Sequence, residues 1–343
     1  MSSDWKRWSS KSQATVLLAC LMSLVVACTG DTSTVSTTAE ASETTAAGLT
    51  TIRVGLIPIA AMAPLYLADE EGLFQDRGVE VEFVELGQTD AGALIESGDI
   101  DVGLEITGAG LLARAAGVDM VAVFQNEVGH DGPPDSGAIL VRPDSGIDSL
   151  DDLADTTIAG NQLQSQTQIA AQHVLRNAGV PPEDYEYLEI PLPNLNDALA
   201  NEQVDAVVNV DPFTTQAIAS GIGTPISWYF VESLPSQPIG IFWASSTWIE
   251  ENPEAVVAFD EAVTEAHEML NADPDFAREK IAEYTGLEAD LLSEMPPIGW
   301  DNEVRLDKWE ELIDMLLEEE ALPEAVDPRS VMSEQMQTHI VDG

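Results

Sequence analysis

The run Gln162-Leu163-Gln164-Ser165-Gln166-Thr167 is dense in side chains that donate and accept hydrogen bonds, and it stands directly before a helical pattern. Groups of this kind hold a polar molecule or cap a helix. Groups that would do harder chemistry are missing or scattered. His130, His173, His267 and His339 are widely separated and show no metal-ligand spacing. There is no Gly-x-Ser-x-Gly elbow and no phosphate-cradling Gly-Lys-Ser/Thr loop, and Gly221-Ile222-Gly223 is too short for a dinucleotide loop. The acidic runs lack a calcium-loop pattern. No catalytic residue, metal or cofactor is therefore expected.

The elements around that run alternate. Strands are expected at 51–57, 79–86, 102–104, 120–125 and 138–141, with helices at 64–71, 91–97 and 108–116 between them. A second series follows. Its strands are expected at 157–159, 185–190, 206–210 and 225–229, and its helices at 167–178, 195–201 and 212–220. One more apolar strand, 241–244, precedes long amphipathic helices at 253–271, 275–284 and 303–319. Strand–helix alternation of this kind predicts an α/β fold with largely parallel sheets. Loops at the carboxyl ends of such strands present free backbone N–H groups at helix N-termini. These can hold an anion without Lys or Arg.

That matters because the chain is very acidic, with 13 Lys+Arg against 61 Asp+Glu and a formal net charge of −48. Beyond the first eleven residues the only lysines are Lys280 and Lys308. Such charge repels nucleic acid and anionic lipid head groups. Acids crowding the surface with few lysines resemble proteins adapted to high salt, where screening removes self-repulsion.

The N-terminal stretch reads as a processed leader. Lys6, Arg7 and Lys11 precede an apolar run from about Ala14, which ends Leu24-Val25-Val26-Ala27-Cys28. That ending resembles the lipobox of bacterial lipoproteins, which implies cleavage before Cys28 and a lipid anchor on it. Residues 1–27 are then the signal peptide. Residues 28–50, rich in Thr and Ser, form a tether with too little to bury to offset its ordering entropy. The other cysteine, Cys20, leaves with the leader, so the mature chain has no disulfide.

The body carries a family resemblance. The segment Ala63-Pro64-Leu65-Tyr66-Leu67-Ala68-Asp69-Glu70-Glu71-Gly72-Leu73-Phe74, then Gly78-Val79-Glu80-Val81-Glu82-Phe83, resembles the opening of one solute-binding family. This family covers nitrate, taurine and alkanesulfonate binders and binders of thiamine-pyrimidine precursors. Glu96 to Gly103, Ser149 to Ala154, Val204-Asp205-Ala206 with Asp211-Pro212-Phe213, and Asn252-Pro253-Glu254 resemble its later motifs in order. The family's usual lysine before the glycine is Glu71 here. The resemblance implies a two-lobed, periplasmic-binding-protein-like fold of type II, with a ligand cleft between lobes joined by a two-strand hinge. Lobe 1 is expected at 51–141 plus 240–343 and lobe 2 at 142–239. It also implies a monomer that passes a small-molecule solute to ABC permease and ATPase subunits outside the cytoplasm.

Strand-end loops would line such a cleft. They offer Pro58, Ile59 and Ala60; Thr107; Gln125 and Asn126; Gln164, Ser165, Gln166 and Thr167; and Asn209 and Asp211 as ligand-binding residues. The aromatics Phe213, Trp228, Tyr229, Phe242 and Trp243 either wall the ligand or pack the core. The resemblance implies a small anion or a small heterocycle as ligand, and the scarcity of cations with the Gln/Ser/Thr run points to a compact one held mainly by neutral donors: an alkanesulfonate- or taurine-like organic anion, with a pyrimidine thiamine precursor as the alternative. A ligand-sensing lipoprotein is the reading from another class. A fungal branch of the fold makes the thiamine pyrimidine enzymatically, but it uses a cysteine-rich segment and a cofactor-binding lysine that have no counterpart here.

The charge generates a first prediction. The melting temperature rises between low and molar NaCl as self-repulsion is screened. A melt that stays flat or falls with added salt would remove the high-salt reading.

Overall fold

The computed structural model describes residues 49–57, 59–86 and 91–341. Cys28, the leader and nearly all of the expected tether lie outside the described residues, as does Pro58. The first lobe opens with β1 (Thr50–Leu56), whose inward residues Ile52 and Val54 are fully buried. α1 (Ala63–Glu70) follows, with Pro64 in its first turn, where no helical N–H bond is lost. β2 (Val79–Glu85), α2 (Ala91–Ser97), β3 (Val102–Ile106), α3 (Thr107–Ala115) and β4 (Val121–Val128) continue the rhythm.

The chain then crosses through residues 129–136 into a second lobe. This contains β5 (Gly137–Val141), β6 (Thr157–Gly160), α4 (Gln166–Asn177), β7 (Glu186–Glu189), α5 (Leu192–Ala200), β8 (Ala206–Val210), α6 (Phe213–Ala219) and β9 (Thr224–Ser227). It returns through α7 (Tyr229–Ser233) to β10 (Pro238–Ala244), back in the first sheet. α8 (Ser246–Glu251), α9 (Pro253–Ala272), α10 (Pro274–Thr285) and α11 (Ala289–Glu294) then pack on the first lobe. β11 (Val304–Arg305), α12 (Leu306–Glu318), α13 (Glu334–Gln337) and β12 (Ile340–Val341) close the chain.

The sheets share one plan. The first has the order β2-β1-β3-β10-β4 and the second β7-β6-β8-β5-β9. In each, three strands pair in parallel and one strand, β10 or β5, runs antiparallel to both neighbours. The expected lobe boundary therefore shifts. β5 lies within the stretch assigned to lobe 1, yet it pairs with β8 and β9 of the second sheet. The second lobe begins at Gly137, and β10 rejoins the first sheet from Pro238. An apolar run buried on both faces carries no mark of which sheet it enters.

The aromatics expected near the junction mostly pack the core. Tyr229, Phe242 and Trp243 are fully buried, and Phe242 packs edge-on against Phe259. Trp243 fits against α3 because residue 110 is glycine; a Cβ there would run into the indole ring. Of the five, only Phe213 and Trp228 keep partial exposure.

A C-terminal strap joins the lobes. Ser333 N donates to Ala122 O on β4, and His339 contacts Asp260 of α9, so the last segment is held to the first lobe. Trp309, Leu312, Ile313 and Leu316 of α12 share an apolar cluster with Ile169, Val174 and Leu175 of α4, in the second lobe. Just past α12, the buried Glu319 carboxylate accepts from Arg176, Gln172 and His173 of α4. Burial opposes the charge on Glu319, but the Arg176 and Gln172 bonds overcome it and hold its pKa below the ordinary value.

Candidate functional site

The two lobes meet at the start of α3. Ile106, the N-cap residue, brings no capping side chain, so the first N–H groups of α3 look outward for acceptors. Gly108 N donates to Gln166 Oε1 at 2.6 Å. Gln166 is the first residue of α4, so this bond runs from one lobe to the other. The same side chain donates from Nε2 to Gln237 Oε1 at 2.8 Å, on the returning crossing. Gln237 Nε2 in turn donates to Phe230 O of α7. Thr107 Oγ1 donates to Ile239 O at 3.1 Å. Thr107, Gln166 and Gln237 are all fully buried. The result is a seat of neutral donors and acceptors shared by both lobes and the hinge.

Beside it, Ser165 caps α4 by accepting from Gln168 N, and its hydroxyl meets Thr167 Oγ1 at 2.7 Å. Thr167 Oγ1 also reaches Asn161 Oδ1. Gln164 is exposed, with φ at 56°. Ile59 is exposed at the loop before α1, and Ala60 is buried there.

Three of the expected ligand residues are turned to other work. Gln125 donates to Glu303 O at 2.6 Å and accepts from Trp309 Nε1, so its amide holds the C-terminal segment. Asn126 donates to Ala61 O at 2.9 Å and meets His267 Nε2 at 3.1 Å. It therefore fixes the loop before α1 from behind. Asn209 donates to Asn196 Oδ1 and accepts from Val210 N. Each is buried with its amide groups engaged inside the fold.

A titratable cluster lies at the crossings. Asp135 accepts from Ser136 N and Val231 N and lies 3.4 Å from His130 Nδ1. His130 Nε2 meets Pro297 O at 2.8 Å. The nearby Asp135 carboxylate, reinforced by Pro297 O, raises the His130 pKa to about 9 against the pull of burial. Burial, with Asp135 nearby, raises Glu127 to about 7. Burial likewise raises Asp211 to about 6, although Thr215 donates to it from both N and Oγ1. Glu127, Asp135 and Gln237 were not among the expected site residues. The contacts that place Gln237 against Gln166 and Asp135 against Val231 span 71 and 96 residues, so no local motif marks either.

The comparisons with known proteins agree with this architecture. The family profile described as NMT1/THI5 like matches residues 60–277. YtlA of Bacillus subtilis, a putative binding protein by name, is 24% identical over 213 residues, covering 61% of this chain and 62% of its own length. The 4-amino-5-hydroxymethyl-2-methylpyrimidine phosphate synthase THI11 of Saccharomyces cerevisiae is 23% identical over 225 residues, covering 62% of this chain and 64% of its own. The match therefore spans less than two thirds of the length of either relative. Among solved structures, the alkanesulfonate-binding protein SsuA of Xanthomonas axonopodis pv. citri, bound to MOPS, superposes with a TM-score of 0.68. It is 22% identical, with 84% of this chain and 99% of that chain covered. At that identity the likeness establishes the fold, a two-lobed periplasmic-binding architecture.

The cluster generates a pH prediction. A histidine with a raised folded pKa contributes stability that is fully present below its ordinary value of 6.5 and lost as pH rises through about 9. Glu127 and Asp211, also raised, act in the same direction at lower pH. Melting temperature measured from pH 6 to 9.5 should fall more steeply for the natural protein than for His130→Gln. Parallel curves would show that His130 is not coupled to folding in this way.

Proposed function

The chain belongs to the NMT1/THI5-like family, and from that premise we propose that it is the extracytoplasmic solute-binding component of an ABC importer. It captures a small organic anion of the alkanesulfonate or taurine kind between its lobes and delivers it to permease and ATPase subunits. The carrying observation is the bond from Gly108 N to Gln166 Oε1 across the lobes. In it, an uncharged oxygen from one lobe occupies the N-terminus of a helix in the other. A sulfonate oxygen has the same acceptor chemistry and adds charge that the helix dipole favours. Such a ligand would take the acceptor's place at Gly108, and Gln166 Nε2 and the Ser165 and Thr167 hydroxyls would supply further neutral donors. The seat thus suits an anion in a chain poor in cations.

A pyrimidine thiamine precursor is the second reading. Asp211 supports it, because its Thr215 bonds engage one carboxylate oxygen only and the other suits a ring N–H. The name of THI11 points the same way. Against an enzymatic role stand the two lysines of the body. Lys280 is bound to Glu70 and Glu283, and Lys308 to Glu311.

Two experiments test this. A thermal-shift screen against sulfonates, taurine, nitrate, bicarbonate and aminopyrimidines should find a solute that stabilises the protein by about 2.7 kcal/mol at a hundredfold excess over Kd. Joint replacement of Ser165, Gln166 and Thr167 by Ala should weaken that solute at least tenfold. Unchanged affinity would misplace the seat, and silence across the whole screen would remove the importer reading. For the proposed anchor, Cys28→Ala should shift the protein from the membrane fraction to the medium or leave it unprocessed. A variant that still fractionates with the membrane in mature form would overturn the lipid attachment.

A further inference from the structure

The amides of Gln166 and Gln237 can each face only one way. Gln237 Nε2 lies 2.8 Å from Phe230 O, 3.2 Å from Leu234 O and 3.4 Å from Ser233 Oγ. Carbonyls only accept, so the amide nitrogen has to lie there and Oε1 has to face Gln166. Gln166 then turns Nε2 to Gln237, at 2.8 Å, and Oε1 to Gly108 N, at 2.6 Å. The far end demands the same sense, because a backbone N–H only donates. Flipping either amide would set donor against donor and acceptor against acceptor. Gln166 and Gln237 are fully buried, so water does not relieve such a clash. Gly108 is the second residue of α3, where an N–H has no acceptor inside the helix, and Gln166 Oε1 is its partner. Size matters there too. A Cβ at residue 108 would lie 3.0 Å from Gln166 Oε1 and 3.1 Å from Gln166 Cβ, so any larger residue makes Gln166 move.

We infer that Gln237 is a positioning residue: held by the α7 carbonyls, it orients Gln166 of the second lobe so that the Gln166 oxygen latches onto α3 of the first. The relay runs from the returning crossing to α4 and on to α3, and each link uses only the chain's own groups. It therefore draws the lobes together with no solute between them. Its polarity is fixed at both ends, by carbonyls at α7 and by the Gly108 N–H at α3, so the oxygen and not the nitrogen of Gln166 always meets the first lobe. The place of this latch in solute capture rests on the importer reading. The latch itself does not, and it is tested without any solute, so a failed solute screen and a failed latch are separate results.

The test is hydrogen exchange of the full chain, read as protection of the residue 108 amide relative to the unfolded rate. The amides of Ile52 and Val208, inside the two sheets, serve as controls. Gln166→Leu should lower protection at residue 108 by roughly fivefold or more, the worth of one neutral hydrogen bond, and leave the controls in place. Gly108→Ala should do the same by pushing Gln166 aside, although alanine is the better helix former. Gln237→Leu should lower protection in the natural background and add nothing in the Gln166→Leu background, because it acts through Gln166. A residue that merely supports the fold would lower it equally in both. Spin labels on Glu96→Cys and Gln203→Cys, one exposed site in each lobe, report lobe separation in a chain carrying Cys20→Ser and Cys28→Ser. The Gln166→Leu and Gly108→Ala variants should show a second interlobe distance that the natural residues suppress. Undiminished protection at residue 108 in either folded variant overturns the latch, as does an unchanged interlobe distance. Equal losses from Gln237→Leu in the two backgrounds overturn its positioning role.

Discussion

Two strands run against their neighbours, and the rest of the architecture depends on them. β5 completes the second sheet directly after the chain leaves β4 of the first, and β10 completes the first sheet after the chain leaves the second. Each lobe is therefore finished by a strand that arrives from the other. The chain must cross twice, and the crossings lie side by side. Gly129 N donates to Gln237 O at 2.8 Å, and Ser236 N donates to His130 O at 3.1 Å. β10 is buried along its whole length, so it cannot leave its sheet without exposing Phe242 and Trp243. Lobes joined this way can rotate about the crossings but cannot part.

The strap adds a second restraint. α12 shares its apolar face with α4, and Glu319 binds that helix through three of its side chains, while the residues beyond return to β4 and α9 of the first lobe. Opening of the cleft has to bend or part this strap as well as turn the crossings. The contact at Gln166 is thus backed by a clasp farther along α4.

Charge explains which side chains do the buried polar work. With 61 acids against 13 cations, most carboxylates stay in water. Among the described residues, the most deeply buried ones each have a dedicated partner. Asp101 has Arg53, Asp135 has His130 and two backbone N–H groups, Asp260 has His339, and Glu319 has Arg176. Elsewhere the interior uses neutral amides. Gln125, Asn126, Gln166, Asn209 and Gln237 join segments separated along the chain. A buried amide costs less than a buried charge and still donates and accepts. The seat between the lobes is built on the same principle.

The fold was legible in the chain because its signals are local. Strand and helix periods, Pro64 in a first turn and the order of the family motifs all act within a few residues of themselves, and they determined the two α/β series and the start of α4. The Gln/Ser/Thr run was legible too, because a capping position is a local property. What tertiary structure alone decided depends on contacts over long separations. The run Ala138-Ile139-Leu140-Val141 is buried on both faces and would look the same in either sheet, so only pairing with β8 and β9 places β5 in the second lobe. Gln125 and Asn126 are neighbours whose side chains leave opposite faces of one strand, one to Trp309 and one to Ala61. Gln237 entered the seat because the returning crossing passes Gln166, 71 residues away. Local physics sets the elements; which buried amide meets which partner is settled only when the two sheets exchange their antiparallel strands.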